Sequence, residues 1–437
     1  MSPFRTSKLV ALASLLAAAL SPPSLAQPKP SAPAKTPAPA PAPAKAPTPA
    51  PAPGAGMTDK VIKIGVLNDQ SGLYADMSGQ SSVLAARMAV EDFGGKVNGT
   101  PVEVIAADHQ NKPDIGANLA RQWIDVDKVD VIVDVPTSSV ALAVSEIVKG
   151  KNKVLLDSGA GTVELTGKAC SPNTIHWTYD TYALAHGTGS AVVASGGDTW
   201  FFLTVDYTFG QSLEKDVADV VKASGGKVLG SVRHPLNTAD FSSFLLQAQS
   251  SGAKVIGLAN AGGDTINAIK AAREFGITEG GQKLAGLLVF ISDVHALGLP
   301  TAQGLRLTSP FYWDTNEQTR AFSKRFAERN GGRVPDMGHA GVYASVLHYL
   351  KAVQALGADG DGRAVVARMK EMPTEDPLFG KGSIRADGRK LHPMSLYEVK
   401  APGESKKPWD YYKLVRTIPA EQAFKPLAQS ECPLVKK

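Results

Sequence analysis

Short apolar runs rich in Val and Ile alternate with longer amphipathic stretches along most of this chain. In its first part the runs fall at residues 62–67, 102–107, 129–133 and 154–156, and the stretches with helical spacing fall at residues 78–93, 114–127 and 140–149. One run and one stretch together take about 25 to 30 residues, which is typical of parallel β-α-β crossovers. Because the runs are apolar throughout, we expect helices on both faces of a sheet. The sequence therefore predicts an α/β fold.

The same alternation begins again after residues 174–182. It predicts strands at residues 200–205, 227–232, 255–259 and 287–291, and helices at residues 210–223, 241–250 and 265–275. Three helical stretches follow at residues 317–330, 340–355 and 363–372, and strand-like patterns return at residues 383–399 and 409–415. A repeated α/β pattern of this length predicts two lobes, each with a doubly wound sheet.

The first 56 residues differ from everything that follows. Residues 1–26 combine Arg5 and Lys8 with an apolar run and the small-residue sequence Ser-Leu-Ala, which predicts a secretory signal peptide. Residues 27–56 are a Pro/Ala-rich linker that we expect to be disordered, since it has little apolar surface to bury. About 380 residues remain for the folded body, which is more than one core usually supports.

The charge balance excludes one class of partner. The formal net charge is +5, and the five basic residues of the leading segment account for all of it. The folded body is therefore close to neutral. Because a nucleic-acid-binding protein needs a basic face, we expect no nucleic-acid partner.

The chain has two cysteines, Cys170 and Cys432. In an exported protein such a pair predicts one disulfide, with two free thiols as the alternative. Two cysteines and scattered histidines do not have the spacing of a zinc site, so we expect no metal and no cofactor.

Small polar residues and glycines follow several of the predicted strands. Because ligands bind at the carboxyl ends of strands in open α/β sheets, these loops form the candidate site. Helix N-termini in such loops favour an anion such as a carboxylate, and glycines let the backbone approach a ligand. The candidate ligand-binding residues are Tyr74, Ser138, Ser139, Ser158, Gly159, Ala160, Gly161, Thr162, Tyr207, Phe209, Gly262 and Asp293.

The order of these motifs resembles one known family. The sequences Gly-Val-Leu at residues 65–67, Ser-Gly at 71–72, Ser-Ser at 138–139, Ser-Gly-Ala at 158–160 and Asp-Tyr-Thr-Phe-Gly at 206–210 resemble the periplasmic substrate-binding proteins of ABC transporters, of the branched-chain amino-acid-binding (Leu/Ile/Val-binding) type. Residues 262–267 and the C-terminal cysteine look like the branch of that family associated with aromatic carboxylates. The resemblance covers about residues 61–415.

The resemblance implies two lobes that are joined by three crossovers, the type I periplasmic binding protein architecture. We place the crossovers near Tyr179, Pro310 and Ile384. The first lobe then comprises residues 57–179 and 311–384, and the second lobe comprises residues 180–310 and 385–437.

The resemblance also implies roles for individual residues. Ser138 and the loop 159–162 match the positions that hold a ligand carboxylate, and Phe209 matches the aromatic residue that packs on the ligand. Asp293 is the best match for the acid that holds an ammonium group. Ala261 is small and Gly161 lacks a hydroxyl where the family carries larger groups, which leaves room for a bulkier ligand.

A different interpretation stands beside several of these roles. Ser138 and Ser139 also fit a helix N-cap, and Asp293 also fits a cap or a partner for a residue between the lobes. Phe209 also fits a core position, and Tyr74 and Tyr207 also fit surface positions beside turns.

The resemblance implies a monomeric protein of the periplasm that captures an amino acid or an aromatic carboxylate and delivers it to the permease subunits of an ABC importer. The alternative is a ligand-sensing module of the same fold that reports to a receptor. We expect no enzyme activity, because the phosphate-loop, nucleophile-elbow, zinc-protease and dinucleotide motifs are missing from the sequence.

Overall fold

A computed structural model describes residues 56–436, so the predicted signal peptide and residues 27–55 of the predicted linker lie outside the described residues. The first sheet consists of β1 (Ile62–Asn68), β2 (Lys96–Val97), β3 (Thr100–Asp108), β4 (Val131–Asp134), β5 (Val154–Asp157) and β6 (Thr174–His176). Their order is β2-β3-β1-β4-β5-β6, and every neighbouring pair is parallel except β2 and β3.

Three helices connect the strands of this sheet. They are α1 (Gly79–Phe93), α2 (Pro113–Asp125) and α3 (Ser138–Gly150). Pro113 lies at the first turn of α2, where its missing N–H costs nothing. Gly94 caps the C-terminus of α1, and its φ of 105° suits a glycine. The strands β4 and β5 are buried at every position, as the apolar runs at residues 129–133 and 154–156 predict, and each strand ends in a buried aspartate.

The second sheet is built from the middle of the chain. It consists of β7 (Thr199–Val205), β8 (Lys227–His234), β9 (Val255–Ala259) and β10 (Lys283–Gly286), which are all parallel in the order β10-β9-β7-β8. Its helices are α4 (Thr181–Leu184), α5 (Ser190–Ala194), α6 (Thr208–Ala223), α7 (Ser242–Ser250), α8 (Gly263–Glu274), α9 (Ile291–Leu297) and α10 (Leu299–Ala302).

The remaining elements complete both lobes. They are β11 (Arg306–Ser309), α11 (Glu317–Arg329), α12 (Met337–Leu356), α13 (Gly362–Glu371), β12 (Thr374–Asp376), β13 (Gly380–Ile384), β14 (Lys390–Leu391), β15 (Met394–Val399), β16 (Tyr412–Ile418) and α14 (Ala420–Ala423). Two small antiparallel sheets have the orders β11-β15-β16 and β12-β13-β14. The long helix α12 packs against α1 and is buried along most of its length. The two α/β lobes of the predicted architecture are therefore confirmed.

One predicted strand is wrong. Residues 287–291 were expected to form a strand from their apolar sequence, but the strand is β10, which ends at Gly286. Leu287, Leu288, Val289 and Phe290 form a loop in which each is at most 2% exposed. These residues are apolar because they are buried, although they do not pair with a neighbouring strand.

The strand pairing bears on the predicted crossovers. Arg389 forms an isolated parallel β-bridge with His176 of β6 in the first sheet, and β14 pairs with β13. The next strand, β15, pairs instead with β11. We therefore propose that the third crossover lies at residues 392–393, eight residues after the predicted position at Ile384. The crossovers near Tyr179 and Pro310 stay predictions.

Cys170 and Cys432 form a disulfide across 262 residues of sequence, which confirms the predicted pair. Both cysteines are buried. The alternative of two free thiols is wrong.

Within residues 56–436, none of the helices has both the length and the apolar character that a membrane-spanning segment requires.

Candidate ligand-binding cleft

The loops at the carboxyl ends of the two sheets touch each other. The hydroxyl oxygens of Tyr74 and Tyr207 are 2.8 Å apart, and the backbone N–H of Gly263 donates to the carbonyl of Leu73 at 3.3 Å. These contacts join the loop after β1 to the loops after β7 and β9. The structure therefore shows the two lobes closed on each other at the edge where ligands bind in such sheets.

Three buried aspartates shape the loops of the first lobe. Asp69, after β1, accepts the backbone N–H groups of Gly72 at 2.6 Å and Tyr74 at 2.9 Å. Asp134, at the end of β4, accepts the side-chain amide of Asn68 at 3.0 Å. Asp157, at the end of β5, accepts the backbone N–H of Ala160 at 2.8 Å. These three aspartates were not among the predicted site residues, although each lies within two residues of the end of a predicted strand.

Burial of two of these carboxyl groups changes their acidity. Burial raises the pKa of Asp134 to about 6, while the hydrogen bond from Asn68 opposes that rise. Burial also raises the pKa of Asp157 well above its usual value. Such groups tolerate the neutral form and act as scaffold for the loops.

The loop between β4 and α3 has an unusual backbone. Asp134 has a φ of 80° and Val135 has a φ of 52°, although β-branched residues rarely occupy this region. Strained conformations of this kind cluster at binding sites. The turn they make sets the position at which α3 begins with Ser138.

The structure decides between two interpretations of the serines. The N-cap of α3 is Thr137, so neither Ser138 nor Ser139 is the cap. Ser138 is buried, and its hydroxyl accepts the backbone N–H of Thr162 at 3.3 Å, which joins the loops after β4 and β5. Ser139 is only half-buried.

The loop from Ser158 to Thr162 approaches the second lobe. Thr162 is buried, and its hydroxyl lies 3.1 Å from the hydroxyl of Ser212 on α6. A Cβ atom on Gly161 would lie 2.7 Å from the ring of Phe209. This close approach leaves no room for a side chain at position 161 in the closed form.

Ser158, Gly159 and Ala160 of that loop pack against the rest of the first lobe. Tyr179 donates its hydroxyl to the carbonyl of Gly159, and His176 contacts the carbonyl of Ala160 at 2.7 Å. Ser158 is 1% exposed, and a Cβ atom on Gly341 of α12 would lie 3.2 Å from its side chain. These residues support the loop from behind.

The second lobe contributes the start of α6. Phe209 is buried in the first turn of this helix, in contact with the position of Gly161, so it is both a core residue and part of the cleft. Tyr207 precedes the helix and bonds to Tyr74 across the cleft, rather than lying on the surface beside a turn. Ser212, one turn after Phe209, was missed, although helical spacing places it on the same face.

Gly262 lies at a close approach between the two lobes. Its φ is 55°, and a Cβ atom there would lie 2.6 Å from the carbonyl oxygen of Leu73. Any other residue would meet both a strained backbone and a clash across the cleft.

Asp293 has a structural role of its own. Its carboxylate accepts the backbone N–H of Phe290 at 2.9 Å, in the first turn of α9. Burial raises the pKa of this carboxyl to about 7, and the nearby Asp76 adds to the rise. The capping interpretation is therefore correct, and ammonium binding by this residue stays a prediction.

Three helices begin at the cleft without a side-chain cap. They are α3 of the first lobe and α6 and α8 of the second lobe, with Thr137, Tyr207 and Gly262 at the three N-cap positions. Uncapped N-termini carry partial positive charge, which favours an anion, although at α8 the N–H of Gly263 is already bonded to the carbonyl of Leu73. No group of three or more metal-ligating side chains occurs in the part of the chain that the structure describes.

The sequence matches a family model described as periplasmic binding protein over residues 61–406. A periplasmic binding protein from Burkholderia mallei is 56% identical, with a TM-score of 0.84 over 86% of this chain and 100% of that one. A periplasmic ligand-binding protein of a branched-chain amino acid ABC transporter from Burkholderia xenovorans LB400 is 40% identical, with a TM-score of 0.76 over 86% of this chain and 100% of that one.

A third structure shows the fold alone. It is a solute-binding protein of an ABC transporter from R. palustris in complex with benzoate, 22% identical, with a TM-score of 0.74 over 82% of this chain and 97% of that one. The family match covers most of the described residues, and the B. mallei structure matches over its whole length. The chain therefore belongs to the periplasmic binding protein family.

Proposed function

We propose that this protein captures a small organic acid or amino acid between its two lobes in the periplasm and delivers it to an ABC importer. The observation that carries the proposal is the closed cleft, in which loops of both lobes meet at the carboxyl ends of their sheets. A ligand that contacts both lobes binds the closed form better than the open form, so it shifts the population toward closure. The protein thereby presents a different surface to a permease when loaded.

The chemistry of the cleft favours a ligand with a carboxylate. The first turns of α3 and α6 supply N–H groups, and the hydroxyls of Ser138, Tyr74 and Tyr207 lie beside them. Tyr74 and Phe209 add apolar surface from opposite lobes. This combination suits an amino acid or an aromatic carboxylate equally, and Asp293 is the residue that separates the two classes.

A thermal-shift panel tests this proposal. The panel contains branched-chain and aromatic amino acids, benzoate- and cinnamate-type acids, short amides and dicarboxylates. A ligand at 100 times its Kd stabilises the folded protein by about 2.7 kcal/mol, which raises the Tm by a few degrees. Shifts with amino acids alone would support Asp293 as an ammonium partner, and shifts with aromatic acids alone would remove that role. The absence of any shift would contradict the proposal for these ligand classes.

The closed cleft predicts the effect of one substitution. Gly161→Ala places a methyl group against Phe209 only when the lobes are closed, so we expect the Kd of a ligand from the panel to rise about tenfold. Isothermal titration calorimetry measures this change. Gly150→Ala, at the end of α3, is the matched control, because nothing lies within 4 Å of the added methyl group. Equal affinities for both variants would mean that the bound form does not bring Gly161 against Phe209.

A further inference from the structure

The chain continues beyond the second lobe in a segment that returns to the first lobe. Strand β16 ends at Ile418 in the antiparallel sheet with β15 and β11. Cys432, fourteen residues later, is bonded to Cys170, which follows β5 of the first sheet. We call residues 419–432 the tail segment.

The tail segment contacts the chain near the proposed third crossover. Phe424 is 1% exposed, and its ring centroid lies 4.6 Å from the guanidinium carbon of Arg389. The same ring packs edge-on against His392, with the ring centroids 5.3 Å apart. Arg389 and His392 lie on either side of β14, next to the proposed third crossover.

The tail segment then attaches to the first lobe at several points. Arg385 donates to the carbonyl of Lys425 at 2.7 Å. Glu431 lies within 3.5 Å of Lys168 and 3.3 Å of Lys425, and the disulfide follows directly. Because Glu431 and Lys168 are largely exposed, their ion pair adds little, and the disulfide is the strong attachment.

The contact at Phe424 is connected to the candidate site. Arg389 donates to the carbonyl of Tyr179 at 3.0 Å, and Tyr179 donates its hydroxyl to the carbonyl of Gly159. Tyr179 also lies 3.3 Å from the position of a Cβ atom on Gly161. One chain of packed groups therefore runs from the tail segment through the first predicted crossover to the loop at the cleft.

We propose that the tail segment is a strap, which the disulfide closes into a fourth connection between the lobes and which restrains their opening. Three peptide crossovers leave a hinge free to bend, since a few residues absorb the change in φ and ψ. A further covalent connection, packed beside the proposed third crossover, narrows the range of lobe orientations. The strap needs no ligand, so its effect on the lobes does not depend on the proposed function.

Hydrogen exchange with and without the disulfide tests the strap. Dithiothreitol breaks the S–S bond by transferring two electrons and two protons, which leaves two thiols and the oxidised cyclic disulfide of the reagent. We expect backbone amides at residues 177–182, 389–392 and 394 to exchange at least about threefold faster in the reduced protein. Exchange that accelerates only at residues 419–436 would overturn the proposal, because the disulfide would then hold the tail alone.

A double variant supplies the control. The chain has no cysteines besides these two, so dithiothreitol should leave Cys170→Ser/Cys432→Ser unchanged, and that variant should behave as the reduced protein does. Amides in β1 and β9 report on global unfolding. Equal acceleration in these strands and at the crossovers would overturn the proposal, since the disulfide would then act on overall stability rather than on the hinge.

Small-angle scattering gives a second, independent readout. We expect the double variant to have a larger radius of gyration than the wild type, because its lobes open further. An identical radius, together with unchanged exchange at the crossovers, would overturn the proposal.

Discussion

Replacing Arg389 with Met is expected to lower the free energy of unfolding by about 3–5 kcal/mol, the cost of leaving a buried ion without its partner. Arg389 is fully buried, and its guanidinium lies 3.5 Å from the carboxylate of Asp180. It also donates to the carbonyl of Tyr179 and packs on Phe424. Methionine keeps most of the apolar stem but supplies no charge. Urea unfolding of the two proteins measures the difference.

The loss should depend on pH. Burial already raises the pKa of Asp180, and removal of the guanidinium raises it further. The folded variant then binds more protons than the unfolded chain, so its stability increases as pH falls from 7 toward 4. The Arg389→Met/Asp180→Asn double variant removes both charges and should be more stable than Arg389→Met. A double variant that is less stable than Arg389→Met would contradict the role assigned to the pair.

An exposed pair offers a matched control for this substitution. Arg325 is about half exposed and makes two hydrogen bonds to Asp92, at 2.8 and 2.7 Å. Because water screens this pair, Arg325→Met should cost less than about 1 kcal/mol. Comparable losses for the two variants would show that burial is not the cause.

Replacing Lys390 with Met is expected to stabilise the protein at neutral pH by an amount on the order of a few kcal/mol. Lys390 is fully buried, and its ammonium has no hydrogen-bond partner among the described residues. It lies 4.4 Å from the ring centroid of Phe379 and 5.3 Å from that of Trp177. These rings attract a cation, but burial dominates and lowers the pKa of Lys390 to about 7. A methionine of similar shape avoids the cost of desolvating the charge.

The effect of Lys390 on stability should depend on pH. An unfolded lysine has a pKa of about 10.4, so between pH 7 and pH 10 the unfolded chain binds more protons than the folded protein. The contribution of Lys390 to stability therefore increases with pH over that range. The difference in Tm between Lys390→Met and the wild type should be largest near pH 7 and should shrink toward pH 10.

Calorimetry at several pH values measures that difference. Lys381→Met is the control, because Lys381 is 82% exposed and its substitution should leave the pH profile unchanged. A Lys390→Met variant that is less stable than the wild type at pH 7 would contradict the expectation.

The sequence predicted the strands well where both faces of the sheet are buried. The run at residues 255–259 matches β9 at both ends, because a fully buried strand must be apolar throughout. The same rule failed at residues 287–291, since a loop enclosed by other elements is equally apolar. An apolar run therefore indicates burial. It indicates a strand only where a neighbouring strand is available for backbone pairing.

Some residues of the candidate site could be predicted from the sequence. Positions of Ser138 and Phe209 follow from where the strands end, and the structure brings both to the closed cleft. The aspartates that shape the loops were missed, because a lone Asp after a strand has the same sequence whether it is buried or exposed. Arg389 and Lys390 were missed for a related reason, since adjacent charges normally indicate solvent exposure.

The packing of α12 on α1 has a consequence for the order in which the protein folds. The strands of the second sheet are continuous in sequence between residues 199 and 286. The first lobe, by contrast, receives α12 from about 250 residues after α1, and a contact of such sequence separation forms slowly. The second sheet therefore has all its strands available while the first sheet still exposes the surface that α12 covers. That exposed surface makes the first lobe the more vulnerable to aggregation until synthesis reaches residue 356.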